Sequence, residues 1–141
     1  MPHDALHALV TVRTHKERGA AARVATESAA LQRVEAEARE AESVLRAVPA
    51  ARDGSSDECH LVEAFRERAS QALAAARERA VDARRVVEEA RQSHAAARLE
   101  RRVVERVVEH RAEERTLAQR RAEQRQVDEL FLLTWKTPAC P

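Results

Sequence analysis

Apolar side chains recur along this chain at every third and fourth position, with polar residues filling the gaps. Val24, Leu31, Val34, Ala38, Ala41, Leu45 and Val48 keep that alternation once past Leu31. After an interruption it resumes through Ala69, Leu73, Ala76, Ala80, Ala83, Val87, Ala90 and Ala97, with Val104 and Val108 continuing it. Steps of three and four hold side chains on one face of a helix, the a/d rhythm of a coiled coil, whereas a strand alternates by two. The pattern predicts an all-α fold.

The breaks in the pattern set the boundaries. The only glycines are Gly19 and Gly54, and prolines stand at positions 2, 49, 138 and 141. "VPAARDGSSDE" (48–58) gathers Pro49, Gly54 and two serines, which is loop chemistry. Ser55 and Glu58 form S-x-x-E, a capping box that starts a helix. A single domain, 1–141, is expected, with helix one over about 5–48 after Asp4 as N-cap, a turn over about 49–55, and helix two over about 56–135. The second helix meets no Gly or Pro before Pro138, so it runs for about 80 residues, roughly 120 Å.

A short connection makes the two helices antiparallel neighbours. Folding about Arg52 to Ser55 pairs residues whose numbers total roughly 108, which sets Val48 near Cys59 to Val62 and Leu45 near Phe65. The same register lets Leu6, Leu9 and Val10 cover Leu99, Val103 and Val104. Much of the seam is alanine, so each heptad stabilises less than a leucine seam does. Glu35–Arg39, Glu42–Arg46 and Glu88–Arg91 are expected as pairs within the helices. The fold is therefore an elongated antiparallel two-helix coiled-coil hairpin with a longer, projecting second helix. Beyond about residue 107 that helix has no partner in the chain, and some 28 residues, about 40 Å, project. Their sequence, "EHRAEERTLAQRRAEQRQ", is polar almost all round, as suits an unaccompanied helix.

Composition narrows the classes of function. Charged residues make up 35% and aromatic ones 2%, too few rings for a thick globular core. The net charge is +1, with basic and acidic residues interleaved, so no basic face for nucleic acid is evident. The N-terminal stretch lacks the unbroken apolar core of a signal peptide, and no run approaches a membrane span, so no stable membrane insertion is expected. Cys59 and Cys140 lack metal or redox spacing, which fits reduced thiols in the cytoplasm.

No catalytic chemistry emerges. Phosphate-loop, dinucleotide, zinc-protease and nucleophile-elbow motifs are missing, and Cys59 beside His60 is not the geometry of a nucleophile and its base. Zinc needs three or four converging ligands, yet His3/His7 and Cys59/His60 fall at opposite ends of the hairpin. His94 and Arg101 fall on the seam, where a polar residue usually fixes register. The reading is no enzyme, no cofactor and no metal.

The apolar residues left over are the informative ones. Phe65 either closes the seam near the turn or joins Leu61 and Val62 in a docking patch. In "VDELFLLTWK" the large residues Val127, Leu130, Phe131, Leu133 and Trp135 are too many for one helical stripe. Apolar patches rimmed by charge mark interaction sites, and Trp and Phe are favoured anchors.

A helical hairpin of this length, whose second helix reads "RRAEQRQVDEL", resembles the stalk proteins of type III export systems: the flagellar FliJ family and the YscO type of virulence secretion. The resemblance implies a bacterial, cytoplasmic, non-catalytic stalk similar to the central γ subunit of rotary ATPases. Its terminal end would enter the hexameric export ATPase through Leu6, Val10, Val127, Leu130, Phe131, Leu133 and Trp135. Its turn end would meet the export gate protein through Leu45, Val48, Leu61, Val62 and Phe65, and secretion chaperones are further partners. Flagellar members carry aromatic residues near the turn on both helices, whereas here only Phe65 is aromatic. The rival readings are a structural coiled coil that self-associates through its C-terminal tail, and a secretion chaperone.

Overall fold

The computed structural model describes residues 2–49 and 54–136. Two helices account for nearly all of it, α1 over Pro2–Ala47 and α2 over Ser56–Lys136. They form an antiparallel hairpin in which α2 is much the longer, at 81 residues against 46. Helix α1 begins at Pro2, ahead of the expected start after Asp4, because a proline suits the first helical position, where its missing N–H is not needed. The start of α2 follows the capping box: Ser55 N donates to Glu58 Oε2 at 2.9 Å, and Glu58 N donates to Ser55 Oγ at 3.4 Å. Residues 50–53 of the expected turn, and Pro138 as the expected stop, lie outside the described residues, as does Cys140.

The chain divides into two units. One comprises residues 15–98, that is, α1 from His15 onward with the first half of α2. Its core is Ala69, Leu73, Ala76, Ala80, Val87 and Ala90, all buried on one face of α2. The facing residues of α1 (Val24, Leu31, Val34, Ala38, Ala41, Leu45 and Val48) are each half-buried. Both rows are those that the three-and-four periodicity marks. A layer of two helices encloses nothing completely, and among the described residues no side chain falls below 2% exposure.

Across this unit Arg84 bonds Glu35 at 2.7 Å, Arg79 reaches Glu37 at 3.5 Å, and Arg77 lies 3.8 Å from Glu42. These pairs join residues roughly ten positions past the register that the loop length suggests. Ala38 and Ala80, which line one groove with Glu35 and Arg84, share that offset. Of the expected pairs within helices, Glu42–Arg46 forms at 2.6 Å. Glu35 instead takes Arg84 of α2, and Glu88 accepts from Gln92 at 3.4 Å.

The other unit comprises residues 2–14 of α1 and α2 from Leu99 on. Arg13 bonds Glu100 across it. Leu6, Val10, Val104 and Val108 are half-buried, as are Arg101 and Glu105 on the same face of α2, bonded to each other at 2.5 Å. Leu99 and Val103 are exposed, contrary to the expectation that Leu6, Leu9 and Val10 cover them. The seam runs through Arg101, Val104 and Val108, and a position one or two residues away points elsewhere. From Glu109 to Trp135 every residue except Arg115 is exposed, as expected of a helix that has outrun its partner.

Candidate interaction surfaces

Near the turn, in the larger unit, an apolar groove of about 400 Å³ opens between the helices. Its walls are Val44, Val48 and Pro49 from the α1 side and Leu61, Val62 and Phe65 from α2. Leu61, Val62 and Phe65 recur at helical spacing, so one face of the first turns of α2 presents all three. Phe65 remains 53% exposed and Leu61 is exposed too, whereas Val48 and Val62 are half-buried. Phe65 thus walls an open groove and does not seal the seam. Of the turn-end candidates, Leu45 belongs to the seam and does not line the groove. Val44 and Pro49 line it without having been singled out, since Val44 lies off the a/d rhythm.

In the other unit, the end of α2 carries large apolar side chains on several sides. Val127, Leu130, Phe131, Leu133 and Trp135 are all exposed, Trp135 at 79%, and so is Leu132, a sixth large side chain inside "LFLL" beyond the five expected. The Phe131 and Trp135 rings stack with centroids 6.3 Å apart and planes at 28°, the neighbour relationship of residues one turn apart. Leu6 and Val10 differ from these: they are half-buried in packing against α2 and offer a partner less surface.

Among the described residues no three potential metal ligands gather, and no helix is long and apolar enough to cross a membrane. His94 and Arg101 are half-buried on the seam, Cys59 is a half-buried free thiol, and His110 lies 3.4 Å from Glu114 of its own helix. The fold is an all-helical hairpin with exposed apolar side chains at the groove and at the end of α2.

The model of the family described as "Flagellar FliJ protein" matches residues 2–139, nearly the whole chain. The chain belongs to that family. Membership implies a component of the flagellar or type III export apparatus, in a family whose members are not catalysts, and it implies protein partners. No curated protein and no solved structure matches the chain.

Proposed function

We propose that this protein is a non-catalytic stalk of a type III export apparatus, working at its cytoplasmic face. The tail Val127 to Trp135, with Leu6 and Val10 further back on the α1–α2 seam, inserts into the hexameric export ATPase. The groove between Val48, Leu61, Val62 and Phe65, with Leu45 behind it, receives the export gate protein, and secretion chaperones dock on the same chain. One observation carries the reading: in a member of this family, the most apolar stretch is a helical end whose large side chains are all exposed. Exposed Trp, Phe and Leu held on a helix are ready anchors, because ordering them on binding costs little entropy.

The test is binding of the full chain to a purified export ATPase, compared with a chain lacking residues 127–141. Loss of binding and of ATPase stimulation in the truncated chain is expected; equal binding by both would overturn the assignment of the tail.

A further inference from the structure

Helix α2 carries a second apolar stripe that the hairpin does not use. Leu99, Val103 and Val107 are exposed at its near end, Leu117 in the middle, and Val127, Phe131 and Trp135 at its far end. Their spacing keeps them within one broad face over about 55 Å of helix. The side chains turned toward α1, Arg101, Val104, Glu105 and Val108, are half-buried on the opposite side of α2. So α1 does not obstruct the stripe.

The stripe is self-complementary about Leu117. Counting outward equally in both directions matches Val107 with Val127, Val103 with Phe131 and Leu99 with Trp135. The charges inside the stripe match with opposite sign: Glu114 with Arg120, Glu113 with Arg121, and Arg106 with Asp128. Two-fold symmetry makes each such match reciprocal in an antiparallel pair of identical helices, so every opposite-sign match occurs twice. Sliding the pair by a heptad either way destroys the match. One slide sets Glu113 against Asp128 and Arg120 against Arg121, and the other sets Glu113 against Glu114 and Arg106 against Arg121. A parallel pair in register puts every charge against itself. Between Leu99 and Trp135 the one like-charge match is Glu105 with Glu129, both turned off the stripe. Glu109, Arg111, Glu123 and Arg125 lie toward the flanks, where solvent and salt screen them.

We propose that α2 pairs with α2 of a second copy, antiparallel and centred on Leu117. Each apolar tail then covers Leu99, Val103 and Val107 of the other copy, while the Glu113/Glu114 and Arg120/Arg121 clusters interlock at the middle. The pairing buries Trp135 and Phe131, the residues assigned above to the ATPase, so the paired form is one in which the tail is occupied. It does not depend on that assignment.

The experiment is light scattering and sedimentation of the full chain, with circular dichroism to confirm that each variant stays helical. The unaltered chain is expected to be a dimer. Glu113→Arg with Glu114→Arg, and separately Arg120→Glu with Arg121→Glu, should each weaken self-association by at least about tenfold, since like charges then face each other. Mixing the two variants should restore a dimer, and so should all four changes in one chain. A chain that stays monomeric at its highest soluble concentration overturns the proposal, as does a dimer indifferent to both reversals. Neither reversal touches Val127 to Trp135, so a failed dimer and a failed ATPase contact are separate results.

Discussion

Arg84 donates from both Nε and Nη2 to the same carboxylate oxygen of Glu35, at 3.0 and 2.7 Å, and so ties the first half of α2 to α1. The contact is well formed but wet: the Arg84 side chain is 62% exposed. An exposed pair contributes about 0.2–1 kcal/mol, whereas truncating a buried leucine costs about 2–5 kcal/mol. Leu73 is the one leucine in the buried row, the rest being alanines and Val87. In urea unfolding, Arg84→Ala should therefore cost under about 1 kcal/mol, and Leu73→Ala at least about 2 kcal/mol. The reverse order would mean that charge, not the thin apolar seam, holds the hairpin.

The entry to α2 depends on Gly54 as well as on Ser55. A Cβ added at Gly54 would fall 2.9 Å from Glu58 Oε2 and 3.2 Å from Glu58 Cβ, where the carboxylate reaches back to Ser55 N. Gly54→Ala should push Glu58 aside and open one half of the box, and Ser55→Ala should remove the other half. Each should cost about 1 kcal/mol, read as a lower midpoint in thermal unfolding. No additional loss is expected from Glu58→Ala placed on Gly54→Ala, because both act on the same hydrogen bond.

Gly19 behaves in the opposite sense. It lies inside α1, exposed, and a Cβ there would meet nothing within 4 Å. Alanine at this position should stabilise the protein by about 0.5–1 kcal/mol by restricting the unfolded chain. A destabilised Gly19→Ala protein would indicate that the glycine is kept for a partner's close approach or for a bend, and not for the isolated fold.

These three regions mark what was legible in the sequence. The helices, the seam on both of them and the capping box follow from spacing and from S-x-x-E, because backbone geometry fixes which positions share a face and which side chain can reach an orphan N–H. Partner choice between long charged side chains was not legible. Glu35 stands one turn from Arg39, yet it bonds Arg84, because arginine and glutamate settle on partners only after the helices have packed and lean. The exposure of Leu99 and Val103 was not legible for a related reason. Both lie close in number to seam residues, and only the rotation of α2 separates the covered from the open. The tail was legible as apolar excess, five large side chains in nine residues, and the structure leaves them exposed.

At the turn, Phe65 forms a wall of the groove while keeping 53% of its surface exposed. Phe65→Ala should therefore cost well under the roughly 3–5 kcal/mol typical of a buried ring. If the groove receives the export gate protein, the same change should reduce that binding and leave ATPase stimulation intact. A large fall in melting temperature with both activities lost together would assign the ring to the core instead.

The tail permits the sharpest separation of folding from binding. Deleting residues 127–141 removes Val127, Leu130, Phe131, Leu132, Leu133 and Trp135, all of which are exposed in the hairpin. Removing exposed groups usually changes stability by no more than about 0.5 kcal/mol, so the melting temperature of the dilute chain should hardly move. Trp135, the only tryptophan, reports the environment directly. Its emission should be that of a solvated indole in dilute solution and should shift to the blue on addition of the export ATPase, as the ring is buried against a partner. A rise in concentration of the chain alone should produce a similar shift if two copies pair through α2, and the Glu113→Arg, Glu114→Arg chain should then lose the concentration-dependent shift while keeping the ATPase-dependent one. An indole already buried at high dilution, or a truncated chain that unfolds, would place the tail in the chain's own core and remove the basis for both surfaces assigned to it.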